Sequence, residues 1–288
     1  LNAVNSIGDR IFNTVNAAVL IALAVITLYP MWHEISMSLS SMEGALRGGF
    51  FLWPREFTLA AYEAVLKSQY IWTAYYNTIF TTVIGTILST LLTAMTAYPL
   101  IKARMPGKNI LTFLILFTML FGGGLIPTYL LVKNVGLVNS LWALIIPSAI
   151  SAYNVLIMRS FFASLPAELE ESAMIDGANP IRIFFRIILP LSMPVVATIA
   201  LWEAVGRWNN FFGALIYLND KSKYTLPVLI RDIINGQEQA KAMGDLAASA
   251  TDSIIAATIV LSLLPILCVY PFLQKYFVKG VMIGAVKS

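Results

Sequence analysis

Residues 164–190 read SLPAELEESAMIDGANPIRIFFRIILP. The run opens as a helix does, with Ser164 as a cap, Pro166 early, and Glu168, Glu170 and Glu171 in the first turn, where carboxylates meet the positive end of the helix dipole. It stops at Asp176-Gly177, because glycine takes the left-handed conformation that closes a helix without steric cost. Asn179-Pro180 then begins a second short helix, Asn as cap and Pro at the first helical position, which ends at Leu189-Pro190. The punctuation predicts helix, turn, helix in a connection too short for a domain and too well marked for a slack linker.

On both sides of this connection the chain is apolar. Only 12% of the 288 residues are charged and 58% are hydrophobic, where a soluble domain carries about 25% charge. Such a chain cannot cover a water-facing surface, so its solvent is lipid. A helix needs about 20 apolar residues to cross the hydrocarbon. Six runs qualify, at about 11–32, 70–101, 109–131, 137–158, 191–218 and 253–275, the fifth interrupted by Glu203 and Arg207. The expected fold is therefore all-α: one polytopic transmembrane domain over 1–288, with six transmembrane helices. An even number of spans puts both termini on one side. With the termini cytoplasmic, the inner connections and ends hold ten Lys and Arg against eight outside, and the tight basic turn Lys102-Ala103-Arg104-Met105-Pro106-Gly107-Lys108 carries much of that bias. The first span is too long for the apolar core of a cleavable signal peptide, and none is expected. Two outside connections, 33–67 and 220–252, are long, and each holds a helix-like piece, at 59–66 and 226–234.

The spacing Glu171-Ser172-Ala173, Gly177, then Ile187-Ile188-Leu189-Pro190 resembles the EAA loop, E-A-A-x3-G-x9-I-x-L-P, of ABC importer permeases, with Ser172 in place of an alanine. The likeness runs through most of the chain. Trp53-Pro54-Arg55-Glu56-Phe57-Thr58-Leu59 with Tyr62 is similar to a segment of sugar-class permeases, and Gly122-Gly123-Gly124-Leu125-Ile126-Pro127-Thr128-Tyr129 to one of the subgroup serving complex oligosaccharides and polysaccharides, alginate-type importers included. Trp208-Asn209-Asn210-Phe211 resembles the W-N-D/E-F signature of sugar permeases, with Asn210 where an acid usually stands.

This resemblance implies a type I ABC importer permease in a bacterial plasma (inner) membrane, half of a translocation path for an oligosaccharide or an acidic polysaccharide such as alginate. It implies as partners a second homologous permease, a dimer of ATP-binding cassette subunits and an extracytoplasmic solute-binding protein. Loop 164–190 becomes the coupling element, with Glu168, Glu171, Ser172, Ala173, Asp176, Gly177, Leu189 and Pro190 as its contact and shaping residues. No cofactor is expected on this chain; ATP and Mg belong to the partner ATPase, since no G-x4-G-K-[ST] run occurs here.

Glu203 and Arg207 stand four residues apart on one helix face and can pair. Each charge costs about 2.5–3.5 kcal/mol at the bilayer centre, so both turn toward the bundle interior or an aqueous cavity. Two readings stay open: a structural ion pair, or a translocation path running through Glu203, Arg207, Trp208, Asn209 and Asn210, whose amides and aromatic faces suit a saccharide. Pro265 and Pro271 mark a kink in the last span, and His33 beside Glu34 reads as an interfacial residue.

Other classes fail on specific residues. One histidine and one cysteine, Cys268, leave no zinc cluster, internal disulfide or intramembrane Ser-His pair, and a net charge of +4 makes no patch for nucleic acid. A self-contained six-span carrier or channel is the alternative, but the repeated signature of mitochondrial-type carriers and paired N-P-A boxes are both lacking.

Overall fold

The structure is a computed structural model and describes residues 7–103, 105–242 and 252–268. Every regular element among the described residues is helical. In chain order these are α1 (Ile7–Ser38), α2 (Met42–Leu46), α3 (Ala60–Lys67), α4 (Gln69–Ala97), α5 (Lys108–Leu120), α6 (Leu125–Asn134) and α7 (Ala152–Phe162). Then follow α8 (Glu168–Ile175), α9 (Pro180–Leu191), α10 (Met193–Trp208), α11 (Phe211–Tyr217), α12 (Leu226–Ala242) and α13 (Asp252–Cys268).

Two stretches are long and apolar enough to cross a membrane unbroken, Ile11–Ser38 and Gln69–Ile101. The other apolar runs are not straight helices, and each break has a local cause. Around 109–131, α5 and α6 meet at 115°. Gly122-Gly123-Gly124 lies at that corner, each glycine costing about 1 kcal/mol of helix propensity, and Gly124 has φ +84°. In 137–158 only the part from Ala152 is α-helix; before it come a 3₁₀ turn at Leu141–Leu144 and irregular chain around Pro147, which has no N–H to give. The run 191–218 is α10 and α11, separated at Asn209-Asn210. A bend of 81° parts α9 from α10 at Ser192, just before Pro194. Of the last expected span the described part ends at Cys268; Pro271 lies outside the described residues, as does Arg104.

The chain divides into two compact units. One is drawn from Leu1–Ser68 and Ile230–Leu264. In it the segment holding Trp53 folds back on the end of α1: Trp32 Nε1 donates to the Leu52 carbonyl at 2.7 Å, the two tryptophan rings meet edge to face, and His33 lies edge-on to Phe51. Arg55 stands over the Phe51 ring at 4.4 Å and Arg47 pairs with Glu56.

The other unit runs over Gln69–Leu229 and resumes at Pro265. Its larger core joins Ala94, Ala97 and Tyr98 at the end of α4 to Val155, Met158 and Phe162 of α7, Ile183, Phe184 and Ile188 of α9, and Val195 and Ile199 of α10. Connection 164–190 is thereby welded to the helix ends. Ile183 and Phe184, expected outside the hydrocarbon, each contribute about 1.5–3 kcal/mol by leaving water. A second core holds Val132, Leu144, Ala214, Tyr217 and Val228. There Asn139 Oδ1 accepts from the Asn219 and Asp220 backbone N–H groups, and Asn77 donates to the Ser222 and Tyr224 carbonyls. The exposed Asp220 carboxylate caps Ser222 N–H, which holds its pKa below the ordinary value.

Candidate functional site

The helix, turn, helix of 164–190 is present, with two differences from its sequence reading. Ser164 does not cap α8; its hydroxyl donates back to the Phe161 carbonyl at the end of α7, and α8 starts at Glu168 with Ala167 as a cap that has no side-chain bond. The second helix does not end at Leu189-Pro190 but runs to Leu191, through a wide π turn at Phe184–Ile188. Pro190 cannot donate to the preceding turn, and a π turn there accommodates the missing bond. Gly177 has φ +78°, and Asn179 Oδ1 accepts from Arg182 N at 2.8 Å, so elbow and second cap are as the residues require.

The motif residues divide by the direction they face. Ala173 is buried in the larger core with Leu189 packed at its edge, whereas Glu168, Glu171, Ser172, Asp176 and Pro190 are exposed. Serine in the second motif position therefore meets solvent and disturbs no packing. Five apolar residues that the sequence reading passed over are also exposed here, Leu169, Met174, Ile175, Ile181 and Phe185, with Ile175 at 86% the most open. In a loop expected in water, Met174-Ile175 next to the buried Ala173 was the available signal, because neighbours on a helix cannot all face the same core. Beneath the elbow a concavity of about 270 Å³ is lined by Ala173, Asp176, Ala178, Arg182, Ile183, Arg186 and Ile187.

Sequence reasoning also misses the role of Glu170, which it places only among the acids of the first turn. It is partly buried and pairs with Lys102, whose ammonium also lies 4.2 Å from the centre of the Tyr98 ring. The basic turn after α4 thus grips the first turn of α8.

In the last two turns of α10 the expected pair forms: Arg207 Nη2 and Nε lie 3.1 and 3.2 Å from Glu203 Oε2. Arg207 is only 8% exposed. Its Nη1 donates to the Leu144 carbonyl at 3.2 Å and Nη2 to the Ser148 carbonyl at 3.0 Å, in the irregular chain before α7. Asn154 of α7 donates to the other Glu203 oxygen at 2.8 Å. The guanidinium thus supplies donors to carbonyls around the broken helix, which is how non-helical backbone is tolerated at membrane depth. Gly85 of α4 makes room: a Cβ there would stand 2.7 Å from Arg207 Nη1. A lone glycine inside an apolar helix pattern was the sequence signal for that close approach.

The five residues assigned to a path occupy separate surroundings. Glu203 and Arg207 are joined in the staple just described. Trp208 lines an apolar pocket of about 430 Å³ with Thr82, Thr86, Leu201, Val205 and Pro265 among others. Asn209 is exposed, and its Nδ2 donates to the Val205 carbonyl at 2.9 Å. Asn210 caps α11 through a bond from Gly213 N at 3.1 Å, a task that the usual acid at this position performs equally well.

Comparison with known proteins bears on the whole chain. The family described as "Binding-protein-dependent transport system inner membrane component" matches residues 71–283. Protein LplC of Bacillus subtilis (strain 168) is 44% identical over 287 residues, 99% of this chain and 97% of that protein. The polygalacturonan/rhamnogalacturonan transport system permease protein YtcP of the same organism is 42% identical over 284 residues, 97% of this chain and 99% of that protein. Among solved structures, a chain of a bacterial ABC transporter involved in the import of the acidic polysaccharide alginate superposes with a TM-score of 0.87 at 38% identity, covering 94% of this chain and 98% of that one.

Proposed function

Since the chain belongs to the binding-protein-dependent transport system inner membrane components, and is a multi-pass sugar-class permease of an ABC importer, we propose that loop 164–190 is its coupling element and an acidic oligosaccharide its cargo. The observation that carries the first part is the elbow at Gly177: two short helices, fused to the core through Ala173, Ile183 and Phe184, present Met174, Ile175 and Ile181 to the outside. A rigid body anchored in the span ends transmits displacement that a slack loop would absorb. Its exposed apolar residues suit a groove on a separate ATPase, and Glu171, exposed beside them, suits donors at the rim. In this reading the chain is non-catalytic, ATP and Mg are handled by the ATPase pair, and a second permease completes the path. A solute-binding protein delivers cargo to the outer connections 33–67 and 220–252. The broken helices count as spans, giving six, with both termini cytoplasmic. The second part rests on the likeness to YtcP and to the alginate importer, whose three named polymers all carry uronate units.

Replacing Gly177 by valine puts a β-branched residue in the left-handed region at a cost of roughly 1–2 kcal/mol and tilts the elbow. With the partner subunits co-expressed, Gly177→Val is expected to reach the membrane, co-purify with its ATPase and lose most uptake of oligogalacturonides or alginate oligomers. Normal uptake by that variant would remove the loop from the coupling role. Uptake of neutral maltodextrins alone by the unaltered complex would remove the acidic cargo.

A further inference from the structure

We propose that Tyr153 and Trp202 form a stacking platform for a pyranose ring of the transported saccharide, a reading that rests on the importer function proposed above. The two rings belong to α7 and α10 and lie 6.1 Å apart, centre to centre, with their planes inclined by 33°. Both are open to their surroundings, Tyr153 at 52% and Trp202 at 38%. Their pairing follows from the polar lock beside them. Asn154 follows Tyr153 in the chain, Glu203 follows Trp202, and the bond from Asn154 to Glu203 at 2.8 Å fixes the register of the two helices at that level.

The face that carries Trp202 changes character along α10. Val195, Ile199, Trp202, Gly206 and Asn209 recur at helical spacing on one side. The first two are buried in the core, and the last three are exposed. A helical side chain leans back over the turn before it, so the residue that would lie on the indole is residue 206. That residue is glycine, and a Cβ built there meets nothing within 4 Å. The indole is therefore uncovered on that side. One turn further on, Asn209 spends its Nδ2 on the Val205 carbonyl, and its Oδ1 has no donor among the described residues.

The chemistry of these groups selects the ligand. Tyrosine and tryptophan facing lipid collect at the two interfaces, where hydroxyl and indole N–H reach water. Trp202 instead falls near the middle of the expected span 191–218. Neither Tyr153 Oη nor Trp202 Nε1 has a hydrogen-bond partner among the described residues. Rings with idle polar handles call for an occupant that is apolar on one face and hydroxylated at its edge. A pyranose is such an object: its axial C–H groups lie against the electron-rich ring faces, while its hydroxyls reach Tyr153 Oη, Trp202 Nε1 and Asn209 Oδ1. The staple of Glu203 and Arg207 holds the platform in place and takes no part in the contact.

The test uses the complete transporter, with partner permease, ATPase and binding protein, in proteoliposomes. The variants are Trp202→Leu, Trp202→Phe and Tyr153→Leu, because leucine keeps apolar bulk and removes the ring. Loss of one stacking face is expected to raise the KM for oligogalacturonide or alginate-oligomer uptake about three- to tenfold, with Trp202→Phe recovering most of it. Assembly, and ATPase stimulation by the loaded binding protein, should stay within twofold of the unaltered complex. Leucine variants with unchanged uptake would overturn the platform, as would loss of the second permease from both Trp202 variants, which would make the rings a subunit contact. An unaltered complex that imports no saccharide would instead bring down the importer reading, and the platform with it.

Discussion

Glu203 and Arg207 sit one turn apart on a single helix, whereas Lys102 and Glu170 are 68 residues apart on two different elements. Yet it is the local pair that ties distant parts together most firmly, because Arg207 also holds the Leu144 and Ser148 carbonyls and Glu203 holds Asn154. The long-range pair is simpler, one ammonium between one carboxylate and the Tyr98 ring. The difference lies in what surrounds the charges. Inside the bundle an unmet charge is costly, so the guanidinium and carboxylate gather further partners, and an ion pair becomes the centre of a network. The Lys102 side chain is 28% exposed against 7% for Arg207, so its ammonium keeps some contact with water at the expected cytoplasmic surface, and the pair joins two elements without a wider network.

The sharpest way to break this contrast is to remove Arg207. Arg207→Met strands a buried carboxylate and two carbonyls at once, and breaking a buried pair costs about 3–5 kcal/mol. The variant should fail to accumulate in membranes, and Glu203→Gln added to it should recover part of the yield, since a neutral amide can still meet Asn154. Yield and thermal stability of the two variants in detergent check this. If Arg207→Met is as stable as the unaltered protein, the network is dispensable.

Gly85→Ala probes the same network from α4 and should have a smaller effect. The added methyl meets Arg207 at 2.7–2.9 Å, so the guanidinium must shift off its carbonyl partners at a cost of about 1–3 kcal/mol. In an Arg207→Met background the alanine has no guanidinium to meet and should be nearly neutral, a non-additivity that a double-mutant cycle in detergent would read directly.

What the sequence made legible follows the range of the interaction. The caps at Gly177 and Asn179 and the pair at Glu203 and Arg207 depend on residues within four positions of each other, and all of them appear as read. The straightness of the helices does not obey that rule. A run such as 137–158 is apolar enough to be a span, yet Pro147 and the chance for Arg207 to serve the Leu144 and Ser148 carbonyls make an irregular path possible there, and hydropathy counts neither. Ser164 shows the same limit at a smaller scale, since it serves the helix that ends before it and not the one that begins after it. Glu170 was classed by its place in a first turn, where solvated acids are common; its partner lies 68 residues away, and no local pattern points to it.

The last test concerns that partner. Lys102 and Glu170 join the turn after α4 to the first turn of α8, so they connect a membrane helix to the proposed coupling element without passing through the apolar core. The pair is partly buried, with side chains 28% and 15% exposed, and contributes on the order of 1–2 kcal/mol, so Lys102→Met or Glu170→Gln should lower thermal stability by only a few degrees and leave most of the yield. The effect should fall on transmission: a first turn of α8 freed from α4 lets the elbow follow the ATPase without moving the span, so ATP hydrolysis continues while uptake per ATP drops, by about fivefold or more for a link of that strength. The exchange variant Lys102→Glu with Glu170→Lys restores the attraction in reverse and should recover much of the ratio, though not the contact of the ammonium with Tyr98. Uptake and hydrolysis measured together on the same proteoliposomes decide the matter. A ratio unchanged in all the variants would assign the link between span and elbow to the apolar contacts of Ala173, Ile183 and Phe184 alone.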